Sequence, residues 1–273
     1  MSEIVLSAGV RSNLLQLQQT SDLITQTQNR LATGKKVNSA LDNAISFFTA
    51  QSLDTRANNL NSLLDSMSNG VNTIQAANNG ITAITKLVQS AQALVSQAQQ
   101  ANNTTTQASL ASQFDSLLTQ IGQLAGDSGF NGVNLLGGDT LTVTLDDTGN
   151  ASISVAGVDY TNASASPLSI AGAANNWASA SDITAASTAL TAALTSLQAE
   201  SQTLGASLST VQVRQDFTKS MINTLQTGSD NLTLADSNEE GANLLALQTR
   251  QQLSSTALSL AAQADQNVLR LFR

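Results

Sequence analysis

The sequence contains no cysteine and no histidine, and both absences restrict its chemistry. Without cysteine there is no disulfide and no thiolate nucleophile, and without histidine the commonest general base and zinc ligand are missing. The sequence also shows no clustered pair of carboxylates in a glycine-punctuated context. Glu239 and Glu240 are interpreted as the start of a helix, where negative charge suits the helix dipole. We therefore expect no enzyme activity, no metal site and no cofactor.

Proline and aromatic residues are scarce. Pro167 is the single proline, so long helices meet almost no obstacle along the chain. Aromatic residues make up only 3% of the sequence, which leaves little bulk for a compact core. Ala and Leu at helical spacing suit thin, elongated packing instead.

Positive charge is missing from the middle of the chain. The sequence has 11 basic and 19 acidic residues, and no Lys or Arg lies between Lys86 and Arg214. That interval holds eight acidic residues, so it carries the whole net charge of -8. With no basic stripe to neutralise phosphates, nucleic-acid binding is disfavoured.

Long apolar runs are also missing. No stretch is long enough to span a bilayer, and residues 1–6 lack the basic start and apolar run of a Sec-type signal peptide. These observations predict no membrane insertion and no cleaved signal peptide. Taken alone, they would favour the cytosol.

What the sequence does contain is a heptad pattern near each end, with apolar or small residues spaced alternately four and three apart. Such spacing predicts one apolar seam along a long helix and therefore a partner helix. Ser21, Gln28 and Asn267 interrupt the seams, so the two ends paired alone would bury little apolar area. We interpret the seams as an assembly interface between subunits, with an intramolecular coiled coil as the alternative. The interface residues are Val10, Leu14, Leu17, Ile24 and Leu31 in the first seam and Leu253, Ala257, Leu260, Ala264 and Leu271 in the second.

Breaks in the pattern predict helices over residues 3–33, 43–100 and 107–125. A further helix should follow an N-cap pair at Ser181 and Asp182 and run to a break at 228–230, and the last helix should begin near Asp236. The inner helices should pair along their own seams, with Gly70 and Gly80 weakening the first of them slightly. Residues 35–42 are expected to form a loop after a helix stop at Gly34.

Between the inner helices the period changes to two. Phe130, Asn131 and Gly132 predict a hairpin turn. Alternating apolar residues then follow from Leu141 to Leu145 and again at Ile153 and Val155, which predicts strands. The predicted fold class is mainly α: a long antiparallel helical coiled-coil rod with a small central β-hairpin insert. The five predicted segments are an N-terminal assembly helix with its loop (1–42), the first part of the rod (43–127), the β-rich insert (128–181), the second part of the rod (182–229) and a C-terminal assembly helix (230–273).

Three runs of residues, in order, resemble bacterial flagellins. Residues 30–44 (Arg-Leu-Ala-Thr-Gly-Lys-Lys-Val-Asn-Ser-Ala-Leu-Asp-Asn-Ala) resemble the signature near the N-terminus of that family. Residues 130–136 (Phe-Asn-Gly-Val-Asn-Leu-Leu) are similar to its Phe-Asn-Gly turn. Asn231-Leu232 and residues 266–271 (Gln-Asn-Val-Leu-Arg-Leu) look like its C-terminal pattern. The resemblance covers about 1–136 and 182–273.

This resemblance implies a structural subunit that polymerises into the filament of the bacterial flagellum for swimming motility. It implies that the terminal helices form the inner tube and become ordered only on assembly. The implied partners are further copies of the chain, an export chaperone and the export apparatus, and the filament cap and junction proteins. Export without a cleaved signal peptide would place the protein outside the cell, in the flagellum, and replaces the cytosolic expectation.

The chain departs from many flagellins in two informative ways. Its insert is short, so large outer domains are missing and a thin filament is expected. Residues 90–94 (Ser-Ala-Gln-Ala-Leu) occupy the place of an Arg-rich, Glu-containing segment that an innate immune receptor reads in many relatives. We therefore expect weak activation of that receptor.

Three other functions compete with a filament subunit. A hook–filament junction protein would share flagellin-like ends, but the complete Phe-Asn-Gly turn and compact insert favour flagellin. A membrane-surface coiled coil would need basic or strongly apolar faces, which the neutral, Ala-rich ends lack. An enzyme on a helical scaffold would need a nucleophile–base pair, and the sequence offers none.

Overall fold

The computed structural model describes residues 8–271, and for Ala8, Asp265 and residues 268–271 it describes the backbone only. The described part is mainly α with a single two-stranded antiparallel sheet, as the sequence predicts. Its elements are α1 (Ala8–Thr33), α2 (Ala44–Gln100), α3 (Thr104–Gly126), β1 (Thr140–Thr144), β2 (Ser152–Ala156), a short 3-10 helix (Ala174–Trp177), α4 (Ala180–Thr233) and α5 (Ser237–Leu271). Within this part of the chain, no helix is both long enough and apolar enough to cross a membrane.

The chain divides into two compact units. We call the first the terminal unit: it combines the residues up to Thr55 with those from Thr224 onward. The second, the central unit, comprises Arg56–Asn223. Helices α2 and α4 contribute residues to both.

In the central unit α2 and α4 run antiparallel. The Ser201 hydroxyl donates to Asn78 Oδ1 at 2.9 Å, and Gln215 Nε2 donates to the Ser68 hydroxyl at 3.1 Å. Later residues of α4 therefore meet earlier residues of α2. The predicted seams of both helices are confirmed, because every predicted position is buried or half-buried. On α2 these positions are Leu53, Ala57, Leu60, Leu64, Met67, Val71, Ile74, Asn78, Ile81, Thr85, Val88, Gln92 and Val95. On α4 these positions are Leu190, Leu194, Leu197, Ser201, Leu204, Leu208, Val211, Gln215, Thr218, Ile222 and Leu225.

The two glycines within α2 permit close packing of the insert. A Cβ at Gly70 would lie 2.6 Å from Val143 Cγ2, and one at Gly80 would lie 2.2 Å from Ser128 Oγ and 2.7 Å from Leu136 Cδ1. Real Cβ atoms do not approach so closely. The sequence presents these glycines only as weak points of a helix, whereas the structure uses their missing side chains as contact surface.

The β-hairpin forms later in the chain than its strongest turn motif. Strands β1 and β2 pair antiparallel, with Val143 opposite Ile153, and Val143 and Val155 are buried. The Phe130-Asn131-Gly132-Val133 turn is tight, with φ of 50° at Asn131 and 81° at Gly132.

The prediction of a hairpin at that turn is wrong, however, because only an isolated bridge joins Phe130 and Val133. The physical reason lies at Asn134. Its side-chain amide donates to the carbonyls of Ala125 and Gly126, both at 2.9 Å. These bonds hold the chain against the end of α3, so no strand extends from the turn.

Several predicted helix boundaries need correction. Helix α3 begins at Thr104 rather than 107, since the Asn103 side chain accepts from the Thr105 amide at 2.8 Å. Helix α4 begins at Ala180, and the Ser179 hydroxyl accepts from the Ser181 amide. The predicted N-cap pair therefore lies inside the first turn. Helix α1 ends at Thr33, as predicted, and Gly34 follows it with φ of +67°. The predicted helical residues 3–7 lie outside the described residues, and so do residues 1–6, on which the signal-peptide prediction depends.

The predicted break at 228–230 is wrong, because α4 continues to Thr233. These residues look turn-prone, yet they pack against the start of α2. A Cβ at Gly228 would lie 3.3 Å from Leu53 Cδ1, and the buried Ser229 hydroxyl donates to the Ala50 carbonyl. Small residues thus mark a close helix contact in the terminal unit and not a turn.

Candidate assembly surface

Helices α1 and α5 pair antiparallel in the terminal unit. Arg30, near the end of α1, forms a 3.1 Å ion pair with Glu240, in the first turn of α5. The Glu240 side chain is only 10% exposed, so Arg30 supplies the charge that a buried carboxylate needs. Three backbone bonds join the residues after α1 to those between α4 and α5: the Lys36 and Val37 amides donate to the Thr233 carbonyl at 2.8 and 3.3 Å, and the Ala235 amide donates to the Gly34 carbonyl at 2.9 Å.

The 35–42 loop is also organised by side chains. The carboxylate of Asp42 accepts from the backbone amides of Asn38 and Ser39 at 3.0 and 2.9 Å, and these bonds lower its pKa. Asn43 caps α2 by accepting from the Ser46 amide at 3.0 Å. Lys36 Nζ donates to the Asn231 carbonyl at 2.9 Å, so this lysine satisfies the last turn of α4 and not that of α1. The run 30–44 therefore connects four helix ends: the end of α1, the start of α2, the end of α4 and the start of α5.

The first predicted seam is divided between the inside and the outside of the α1–α5 pair. Val10 and Ile24 are buried and Leu17 is half-buried, whereas Leu14 and Leu31 are 38% and 40% exposed. The buried positions of α1 also include Thr20 and Thr27. Part of the predicted interface is thus already occupied within one chain.

The second predicted seam lies on the exposed side of α5. Leu253 and Leu260 are 67% and 62% exposed, and Ala257 and Ala264 are exposed as well. The side chain of Leu271 lies outside the described residues. The structure therefore does not bring the two predicted seams together, and α5 meets α1 through another stripe. That inner stripe consists of Glu240, Leu244, Leu247, Gln251, Ser254, Leu258 and Ala261, which are buried or half-buried.

Sequence reasoning missed a second group of exposed apolar residues. Leu41, Ile45 and Phe48 are 98%, 82% and 59% exposed. Their spacing of four and three residues is itself a signal that could have identified them. Leu15, Leu23 and Leu245 are exposed as well. Of the fourteen large apolar side chains that are exposed in the described chain, eleven belong to the terminal unit. Concentrated exposed apolar surface marks an interaction site.

Burial perturbs two ionisable groups of the central unit. Burial, together with the nearby Glu200 carboxylate, raises the pKa of Tyr160 to about 12, and burial raises the pKa of Glu200. Among the residues that the structure describes, no group of three acidic side chains is arranged to hold a metal ion. The predicted turn residues Phe130, Asn131 and Gly132 are exposed at the surface of this unit.

Comparison with known proteins identifies relatives along the whole chain. Residues 8–140 match the bacterial flagellin N-terminal helical region, and residues 187–272 match the bacterial flagellin C-terminal helical region. The chain is 36% identical over 282 aligned residues to flagellin FljK of Caulobacter vibrioides, covering 100% of this chain and 99% of the relative. It is 30% identical over 284 residues to a flagellin of Brucella melitensis, covering 100% of both. The crystal structure of Bacillus cereus flagellin aligns with a TM-score of 0.46 at 19% identity, covering 57% of this chain and 88% of that one.

Proposed function

Because the chain belongs to the bacterial flagellin family, it is a structural subunit of the flagellar filament, and we propose that its terminal unit makes the contacts that polymerise it. The observation that carries this proposal is the exposed stripe of Leu253 and Leu260 on α5. Burial of each leucine between subunits would contribute about 1.5–3 kcal/mol. Repetition along α5 and α1 makes the contribution large enough to drive assembly. The proposed interface comprises Val10, Leu14, Leu17, Ile24, Leu31, Leu253, Ala257, Leu260, Ala264 and Leu271.

The proposal gives seven of these ten residues one of two roles. Val10, Leu17 and Ile24 support assembly indirectly, since they hold α1 against α5 and so set the shape of the pair. Leu14, Leu31, Leu253 and Leu260 are exposed in a single chain and are available to neighbouring copies. The same division implies that substitutions of the two kinds have different effects.

The test is Leu260→Asp, with Gln263→Asp as the matched control on the same helix. Both positions are exposed, so neither substitution disturbs the core of the monomer. Leu260→Asp places a charge where the proposal requires burial, and we expect no filaments by negative-stain electron microscopy after seeding. Gln263→Asp should still polymerise. Normal filaments from Leu260→Asp would overturn the proposed role of this stripe.

The partners and location of the subunit follow from the same proposal. Before export, an amphipathic helix with an exposed leucine stripe suits the groove of an export chaperone. We propose that this chaperone and the export apparatus deliver the chain out of the cell without cleavage of a signal peptide. At the ends of the filament, the cap and junction proteins would meet the same surfaces.

The junction-protein alternative is not favoured, because the full-length relatives are flagellins. The family is structural and not enzymatic, which agrees with the lack of cysteine and histidine. Membership of this family therefore favours a filament subunit over a junction protein. The two differ in how they respond to filament seeds. A junction protein would leave stubs or rings under conditions in which a flagellin elongates seeds.

A further inference from the structure

Three Asn-Gly pairs occur in the sequence, and the fold places them in two different environments. The pairs at residues 69–70 and 79–80 lie within α2, whereas Asn131-Gly132 forms the centre of the turn after α3. An asparagine followed by glycine is chemically labile, because glycine has no side chain to hinder attack of its backbone nitrogen on the asparagine side chain. The three pairs share this chemistry, so any difference between them comes from the fold.

In the turn, both residues of the pair are exposed to solvent. The Phe130 amide donates to the Val133 carbonyl at 2.9 Å, and the Val133 amide donates to the Phe130 carbonyl at 3.0 Å. These two bonds close the turn without using either central amide. In the part of the chain that the structure describes, Gly132 donates no hydrogen bond, and a Cβ on it would meet nothing within 4 Å. The Gly132 nitrogen is therefore accessible to water and has open space around it.

In α2 the glycine of each pair is buried, although Asn69 and Asn79 are exposed. A Cβ at Gly70 would lie 2.6 Å from Val143 Cγ2, and the surroundings of Gly80 are tighter still. Both glycines also lie inside one continuous helix, where each amide donates to the carbonyl four residues earlier. A bonded and buried amide neither loses its proton nor turns towards a side chain. These two pairs can react only when α2 opens locally.

We propose that Asn131 is a site of spontaneous deamidation and that the fold protects the two pairs in α2. The deprotonated Gly132 nitrogen attacks Cγ of Asn131, and the new N–C bond closes a succinimide ring while the side-chain nitrogen leaves as ammonia. Water then adds to either ring carbonyl and breaks the bond from that carbon to the ring nitrogen. The product is aspartate, or isoaspartate in which the main chain runs through the former side chain. Overall, water is consumed and ammonia is released.

Both products change the surface of the turn. Each adds a negative charge close to the exposed Asp127 and Asp139. Isoaspartate also lengthens the backbone between Phe130 and Val133, so their paired hydrogen bonds are lost. The change stays local, because the Asn134 side chain holds the following residues against the end of α3. Since the reaction needs only water, the modified fraction rises with the age of the chain.

Trypsin digestion separates the two environments, because no Lys or Arg lies between Lys86 and Arg214 or between Arg56 and Lys86. Asn131 therefore falls in the fragment 87–214, and both α2 pairs fall in the fragment 57–86. The folded monomer is incubated in mildly alkaline buffer and digested at intervals, and fragmentation mass spectrometry locates the modified residues. We expect deamidation in the turn to be at least about tenfold faster than in either α2 pair, because the helical pairs must wait for local opening.

The same chain unfolded in urea is the control, since urea removes the fold but not the dipeptides. There the three pairs should deamidate at similar rates. In the folded protein, Asn131→Ser should leave the fragment 87–214 almost unmodified.

Deamidation of Asn131 that is no faster than that of Asn69 and Asn79 in the folded chain would overturn the inference. Modification of the Asn131→Ser fragment to the natural extent would overturn it as well, because another asparagine would then be the reactive one. Neither result bears on the proposed function, since the experiment uses the monomer and requires no filament.

Discussion

Gly80 shows how one residue can fix the position of a whole segment. The space that a side chain would occupy on α2 is filled by Ser128 and Leu136 of the insert. Gly80→Ala should therefore destabilise the central unit by about 1–3 kcal/mol through overpacking, although alanine is the better helix former. The free energy of unfolding from urea denaturation measures the change.

Gly205 provides the matched control. It also lies within a long helix, α4, but a Cβ there would meet nothing within 4 Å. Gly205→Ala should stabilise the protein by about 1 kcal/mol, the usual gain in an open helix. If both substitutions stabilise equally, the close packing around Gly80 is not real.

Asp42 gives the loop of the terminal unit a defined pH dependence. Its amide hydrogen bonds lower its pKa below the ordinary value of 3.8. The carboxylate therefore stabilises the loop fully above pH 3.8, and this contribution is lost as the pH falls through the lowered pKa. In an NMR titration the pKa of the Asp42 carboxyl should lie below 3.8. The protection of the Asn38 and Ser39 amides against hydrogen exchange, relative to an unfolded chain at the same pH, should fall only below that pH.

Asp42→Asn is the control, because it removes the titrating group while keeping a side-chain oxygen. The protection of the Asn38 and Ser39 amides should then no longer fall as the pH is lowered through this range. A carboxyl titrating at 3.8 or above in the natural protein would contradict the hydrogen-bonded loop.

At the scale of elements, α5 is weakly held. Among its described side chains, only that of Glu240 is buried, whereas α4 buries nine residues within the central unit. Local stability follows buried contact, so α5 and α1 should open far more readily than the central helices. Hydrogen exchange should be fast in α1 and α5 of the monomer and slow in the filament.

The central helices serve as the internal reference for that experiment, since their exchange should be slow in both states. Equal protection of α5 and α4 in the free monomer would contradict the weak pairing. The structure describes α1 and α5 as helices in one chain, so the expectation that they become ordered only on assembly stays a prediction for this measurement.

The sequence predicts the elements well because heptad spacing is a local property. The seam of α4 is confirmed from Leu190 to Leu225. The same logic does not decide which side of α5 faces α1, because two stripes of identical spacing run along it. One stripe contains Leu244, Leu247 and Leu258, the other Leu253 and Leu260. Periodicity reveals both, but only the position of α1 decides which one faces inward.

Contacts between segments explain the other features that the sequence predicts wrongly. No sequence pattern indicates that the Asn134 side chain bonds α3, yet its two hydrogen bonds there prevent a strand from following the Phe130 turn. Gly228 and Ser229 resemble a break because close helix contacts use the same small residues as turns. The exposed residues Leu41, Ile45 and Phe48 were not predicted, because three apolar positions across a loop and the start of α2 are too few to form a recognisable heptad pattern.

At the scale of the whole molecule, assembly should be nucleated. A subunit that joins a filament must hold α1 and α5 in place, at about 1–2 kcal/mol of backbone entropy per residue that becomes ordered. We expect that contacts with several neighbours are needed to offset this cost. Fresh monomer should therefore show a lag in light scattering, and short filament seeds should abolish it.

Sonicated wild-type filaments are the seeds for this experiment, and filaments boiled to monomers are the control addition. A lag that seeds do not shorten would mean that single contacts suffice and that the ends are ordered beforehand. Polymerisation at a constant rate from the first mixing would have the same meaning.

The two stripes of α5 give this subunit an unusual freedom. Its inner stripe maintains the individual chain, and its outer stripe is available to other chains. Because the two sets share no residue, mutations of the outer stripe can adjust the strength of the polymer while the folded monomer stays unchanged. Substitutions on one side of a single helix are therefore enough to change how firmly the subunits of the filament hold together.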